Sequence, residues 1–166
     1  MRSELGHSIK HRKVPNDNFV TPELLVRNLV RLVPFEPGDM VLDPAFGTGA
    51  FYRNFPDYVK KDWCEASFGK DFLKYIEPVE WIVTNPPYSN LDVWWNHTTL
   101  LAGKGFAFLL GFTNITPRRI EMANKAGFGL TQIHLCKVFE WYGISAFCVF
   151  EVGKENIVSY DRIVWM

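Results

Sequence analysis

The chain has 166 residues, enough for one domain with a single sizeable core and little room for a second module. Lys plus Arg balances Asp plus Glu at 18 each, which excludes a global positive field, so any nucleic-acid partner must be held by a local patch. Cys64, Cys136 and Cys148 are odd in number, widely spaced and set in apolar runs; they read as reduced core residues and exclude a disulfide frame or a zinc site. No apolar run approaches the ~18 residues that span a membrane, and the N-terminus lacks an apolar signal core. The expectation is a cytoplasmic protein without metal.

Residues 1–18 are polar and basic ("KHRK" at 10–13) and form an N-terminal arm ahead of a single domain at 19–166. "TPELLVRNLVRLV" predicts a helix, with Thr21 as N-cap, Pro22 at the first helical position, and Leu25, Leu29, Leu32 and Val33 on one face. "PFEPGD" breaks it. "MVLD" (40–43) is a short strand ending in an acid, followed by the glycine-bearing turn "PAFGTGAFY" and a short helix. "KKDWCE" (60–65) and "WIVTN" (81–85) are the second and third strands. "LDVWWNHTTLLA" predicts a helix, and the continuously apolar "GFAFLLGF" (105–112) a strand buried on both faces. "TPRRIEMANKAG" is a helix capped by Thr116, opened by Pro117 and stopped at Gly127. "LTQIHLCKVF", "SAFCVFEV" and "YDRIVWM" are strands. Alternation of strand and helix followed by consecutive strands predicts an α/β fold: a Rossmann-like, doubly wound, mostly parallel sheet with an antiparallel hairpin at one edge.

Such sheets bind ligands at the carboxyl ends of their strands. Asp43 stands at one such end, with Gly47 and Gly49 where a loop must let a ligand close to the backbone. Glu65 follows ~20 residues later, the distance at which an acid takes ribose hydroxyls, and Asp71 lies where a third loop passes under an adenine. No Gly-Lys-Ser/Thr grip is present, so the expected ligand is an adenosine without a phosphate chain. "IVTNPPYSN" (82–90) closes the third strand on Asn85, Pro86, Pro87 and Tyr88. Asn85 offers a side-chain carbonyl, and the Pro86-Pro87 peptide fixes backbone carbonyls with no competing proline N–H. Two acceptors converging on one amine favour a pyramidal nitrogen and free its lone pair. Tyr88 offers a face on which an extruded base can stack.

These residues resemble the amino methyltransferases that use S-adenosylmethionine, above all the N6-adenine DNA methyltransferases. "DPAFGTGAF" is similar to their cofactor loop, "NPPY" to their catalytic tetrapeptide, and Phe19, Thr21 and Pro22 to the "F-x-T-P" segment before the loop. The resemblance implies that Asp43, Ala45, Phe46, Gly47 and Gly49 wrap the methionine part, that Phe19, Thr21 and Pro22 close over it, that Glu65 holds the ribose, and that Asp71 with Phe72 contacts the adenine. Asn85, Pro86, Pro87 and Tyr88 fall to the target amine and base, and Phe139 or Trp141 in "VFEWYGISAFCVFEV" to holding the flipped base. The chain has no room for a separate target-recognition region. DNA reading then falls to loops, to Arg118 and Arg119 in "TPRR", to the basic arm, or to a second subunit.

The same tetrapeptide serves enzymes that methylate a protein glutamine or an exocyclic amine of RNA, and a non-catalytic cofactor-binding subunit is a further alternative. "DPAFGTGAF" and Asn85 lean toward adenine. The expected reaction is direct transfer of the sulfonium methyl to N6 of an extruded adenine, with His97 and His134 read as structural.

Overall fold

The computed structural model describes residues 20–138 and 143–162; the basic arm, Phe19, Phe139 and Trp141 lie outside them. The described residues build one sheet of six strands: β1 (Met40–Asp43), β2 (Lys60–Trp63), β3 (Val79–Thr84), β4 (Ala102–Gly111), β5 (Phe128–Cys136) and β6 (Ser145–Val152). Their order is β2-β1-β3-β4-β6-β5. The first four run parallel, with Val41 opposite both Lys61 and Trp81 and Ile82 opposite Phe106. β6 is antiparallel to both β4 and β5. The expected hairpin is present with its second arm inside the sheet and β5 at the edge.

Period-two alternation sends neighbouring side chains to opposite faces and creates two apolar layers. Val41, Trp81, Val83, Ala107, Leu109, Phe147 and Val149 face α1 (Glu23–Val30) and α2 (Ala50–Asn54). Leu42, Ile82, Phe106, Phe108, Ala146, Cys148 and Phe150 face α3 (Leu91–Leu101) and α4 (Pro117–Lys125). The second layer is built on rings. Trp95, fully buried, meets Phe106, Phe108 and Phe150 edge-on at 5.5, 5.6 and 5.2 Å between centroids. Such edge-to-face geometry adds about 0.5–1.5 kcal/mol per pair beyond area burial.

Two helices open with Thr-Pro, and they open differently. In α4 Thr116 Oγ1 accepts the Arg119 N–H at 3.3 Å and Pro117 is the first helical residue, as expected. In α1 the cap position is Pro22, with no side-chain cap bond, and the helix ends at Val30 rather than continuing to Val33. Its first turn forgoes a cap worth about 1 kcal/mol. The buried face is also shifted: Val26, Leu29 and Val30 are buried, while Leu25 and Leu32 are only half-buried. The strand expected at "YDRIVWM" is not formed over 160–162, and the rest of it lies outside the described residues.

Cys64 and Cys148 are buried, Cys136 is half-buried, and all three are free thiols. Burial pushes Cys148 up to about 12 and Cys64 to about 11. Among the described residues no helix is long and apolar enough to cross a membrane, and no group of His, Cys, Asp and Glu is placed to hold a metal ion.

Candidate active site

The winding of the sheet reverses at β1, whose neighbours β2 and β3 continue the chain in opposite directions, and the space above this point is where an open α/β sheet receives a ligand. The carboxyl end of β1 passes into the glycine turn. Asp43 is completely buried beneath it: Oδ1 accepts the Ala45 N–H at 3.3 Å and the Thr84 hydroxyl at 2.8 Å, tying the turn to β3. Oδ2 has no partner. Loss of hydration disfavours the charged form and pushes the Asp43 carboxyl up to about 7.

The turn closes on its own backbone. Phe46 N–H donates to Cys64 O at 2.9 Å and Gly49 N–H to Phe46 O at 2.6 Å. Gly47 and Gly49 have φ of 52° and 81°. At Gly49 a Cβ would also sit 2.6 Å from Phe46 Cζ, so glycine is required there for both space and backbone conformation.

From the end of β2, Glu65 bridges two loops. Oε2 accepts the Gly47 N–H at 2.9 Å, while Oε1 accepts the Ser67 N–H at 3.3 Å and its hydroxyl at 3.1 Å. Asp71 caps the one-turn helix Phe72–Lys74 by accepting the Leu73 N–H at 3.0 Å. Phe72 is buried beneath Trp94, with ring centroids 4.7 Å apart. His97 meets the Phe72 ring edge-on at 4.8 Å, and its Nε2 lies 3.0 Å from Tyr75 O. It is a structural histidine, as the sequence reading has it; His134 is exposed on β5.

Asn85 follows β3. Its Nδ2 donates to Thr21 Oγ1 at 3.3 Å, across 64 residues of chain. Its Oδ1 accepts no hydrogen bond among the described residues. Thr21 is itself buried, on the segment that leads into α1.

These groups enclose one cavity of about 510 Å³, within the range of small-molecule sites. Nine of the predicted residues line it: Thr21, Ala45, Phe46, Gly47, Glu65, Asp71, Phe72, Asn85 and Pro87. Five others do not. Asp43, Gly49 and Pro86 are buried behind the wall, Pro22 is exposed outside it, and the Tyr88 hydroxyl accepts the Gly111 N–H at 2.9 Å. The residues missed by the sequence reading include Ser67, which holds Glu65, and Trp94, which covers Phe72. The "WW" at 94–95 was the signal for the latter; the rotation of about 100° between consecutive helical residues sends Trp95 into the core and Trp94 to the cavity.

Two carboxylates, Glu65 and Asp71, lie in this wall, with no Lys or Arg among the lining residues. The lining therefore favours a cationic or neutral ligand over one with phosphates. Phe72 and Trp94, packed on each other, supply an apolar patch of the wall at the carboxylate side. The donor set fits a positively charged adenosine derivative, which accounts for the acids, the aromatic patch and the missing phosphate grip together.

Arg118 and Arg119 are not part of the wall. Both grip Asp92 on α3, Arg119 Nε at 2.8 Å and Arg118 Nη1 at 3.0 Å. Arg119 also donates to Asn114 O at 2.8 Å and its side chain is 17% exposed, whereas Arg118 is 60% exposed. Arg119 is thus a fastening between α3 and α4, and only Arg118 faces solvent.

Solved structures share this architecture. A candidate RNA methyltransferase from Pyrococcus horikoshii aligns over 90% of this chain and 96% of its own, with 14% identity and a TM-score of 0.62. A candidate class I S-adenosylmethionine-dependent methyltransferase from Listeria monocytogenes aligns over 96% of this chain and 68% of its own, with 13% identity and a TM-score of 0.65. Magnesium protoporphyrin IX methyltransferase from Synechocystis, solved with bound S-adenosylmethionine, aligns over 78% and 79%, with 11% identity and a TM-score of 0.58. The chain has the Rossmann-like fold of these methyltransferases. No protein-family model and no curated protein sequence matches it.

Proposed function

We propose that the protein transfers a methyl group from S-adenosylmethionine to the exocyclic N6 amine of adenine in DNA. The observation that carries the reading is Asn85: a cavity-lining amide at the carboxyl end of β3 whose N–H is held by Thr21 and whose Oδ1 accepts no hydrogen bond among the described residues. A carbonyl acceptor beside a site for a cationic adenosine is what an amine donor needs.

S-adenosylmethionine, when bound, supplies an electrophilic methyl on a sulfonium. Glu65 and Asp71 would provide the negative wall for its charge and ribose, Gly47 the close backbone approach, and Phe72 with Trp94 an apolar surface for its purine. Asn85 Oδ1 and a backbone carbonyl of the Pro86-Pro87 segment would accept the two hydrogens of the target amine, orient its lone pair, and stabilise the positive charge that develops on nitrogen before one proton leaves to solvent. Tyr88, beside them in sequence, is the face for the extruded base. Arg118, the more exposed of its pair, is the candidate phosphate contact.

The test is mass spectrometry of nucleosides from unmethylated duplex DNA incubated with the pure protein and S-adenosylmethionine, with Asn85→Ala in parallel. The expected result is N6-methyladenine that vanishes in the variant while cofactor affinity stays within about threefold. Cofactor binding without a modified DNA base would shift the reading to an RNA amine, a protein glutamine, or a subunit that needs a partner for target recognition.

A further inference from the structure

We propose that Thr21 is a positioning residue for Asn85, holding the amide in its place and plane at the cavity wall. The inference rests on the amine-methylation reading above and adds to it a residue whose local sequence announces a different role.

Thr21 and Thr116 carry the same local code, Thr-Pro at the start of an amphipathic helix. Thr116 follows it: its hydroxyl caps α4. Thr21 does not: α1 starts without a side-chain cap, and the hydroxyl oxygen accepts the Asn85 N–H at 3.3 Å instead. Both Thr21 and Asn85 line the cavity, and Thr21 is only 7% exposed. The helix has given up the local bond in favour of one made 64 residues away, at the residue on which amine recognition depends.

The chemistry follows from the symmetry of a carboxamide. An amide side chain turned by half a rotation exchanges a carbonyl oxygen for an NH2 group at the same place. In one orientation the cavity receives an acceptor and suits an amine; in the other it receives a donor and repels one. In the orientation observed, the Thr21 hydroxyl accepts from the Asn85 nitrogen and sets the plane and position of the amide at the cavity wall. Valine is nearly isosteric with threonine and offers no acceptor. Serine keeps the oxygen.

The experiment compares Thr21→Val and Thr21→Ser with wild type in three readouts. These are the side-chain amide proton resonances of Asn85, assigned by their loss in Asn85→Asp, the turnover of unmethylated DNA at saturating substrate, and the Kd for S-adenosylmethionine by calorimetry. Thr21→Val is expected to shift the Asn85 resonances and to lower kcat about tenfold or more, with the cofactor Kd changed by less than about threefold, because a half-buried amide N–H loses its partner. Thr21→Ser is expected to restore both resonance position and kcat. Unmoved resonances, or a Thr21→Val protein with wild-type kcat, would overturn the inference, as would a loss confined to cofactor Kd. A wild-type protein that methylates no amine acceptor would overturn the transfer reading itself, whereas an active wild type with an unaffected Thr21→Val overturns only the role of Thr21.

Discussion

Glu65 at the end of β2 accepts the Gly47 N–H at 2.9 Å, so the acid expected to hold a ribose also holds the glycine turn. One carboxylate thus ties together the two loops that form the cavity wall. Glu65→Ala removes the acceptor for Gly47 and for Ser67 together, and is expected to weaken S-adenosylmethionine binding at least tenfold, since hydrogen bonds to a charged group contribute about 1.5–3 kcal/mol. Glu65→Gln keeps an acceptor and should fall between. Isothermal titration calorimetry on the three proteins distinguishes this from a role confined to solvation, in which all three would bind alike.

Gly49 and Gly38 separate steric from conformational cost. Both have positive φ, 81° and 89°, yet a Cβ at Gly38 meets nothing within 4 Å whereas one at Gly49 meets Phe46 Cζ at 2.6 Å. Gly38→Ala should lose about 1 kcal/mol from backbone strain alone. Gly49→Ala should lose about 2–4 kcal/mol, since displacement of Phe46 is added to that strain. Urea denaturation midpoints measure the difference.

Asp43 makes stability depend on pH in a direction opposite to that of a salt-bridged acid. Its carboxyl lies at about 7 in the folded protein against an ordinary value of 3.8. The folded state therefore binds the proton more tightly than the unfolded chain. Stability from this group is fully present below about pH 4, declines as pH rises toward 7, and is flat above. Asp43→Asn cannot titrate, so its stability relative to wild type should rise between pH 4 and pH 8 by on the order of 2–4 kcal/mol. The comparison across pH, and not the absolute value at one pH, isolates ionisation from the changed hydrogen bonding at Thr84. Thermal or urea unfolding at the two pH values gives it directly.

Arg118 and Arg119 should divide their effects. Arg119→Ala breaks the bonds to Asp92 and Asn114 at a largely enclosed site and is expected to destabilise by about 1–3 kcal/mol. Arg118→Ala removes an exposed ion pair, for which a change below about 1 kcal/mol is expected. If Arg118 contacts phosphate, its loss should weaken DNA binding uniformly across sequences and reduce the slope of log affinity against log salt by about 1.

The comparison of the two arginines shows where local sequence stops being informative. They are adjacent in one helical turn and both reach Asp92 on α3, but only Arg119 is also enclosed and bonded to Asn114, which makes it a fastening and leaves Arg118 in solvent. Trp94 and Trp95 pose the same problem: both are aromatic, one is core and one is cavity wall, and the helix phase relative to the sheet decides. The Tyr88 hydroxyl accepts the Gly111 N–H, a contact made by the next strand of the sheet that nothing in the local sequence announces.

By contrast, the order of strands, the glycine turn after β1, the acid at the end of β2 and the Asn85 corner after β3 were legible in the chain itself. Each is a short-range pattern: alternating or continuous apolar residues, a turn that needs positive φ, a proline pair that cannot continue a strand. Nine of the residues so identified do meet around one cavity. The sequence also carried Thr-Pro twice, and local capping chemistry assigns the two threonines one role. Tertiary structure separated them, because Thr21 alone is brought within 3.3 Å of Asn85 by the packing of α1 on the sheet, and a hydroxyl takes whichever buried partner the fold sets before it.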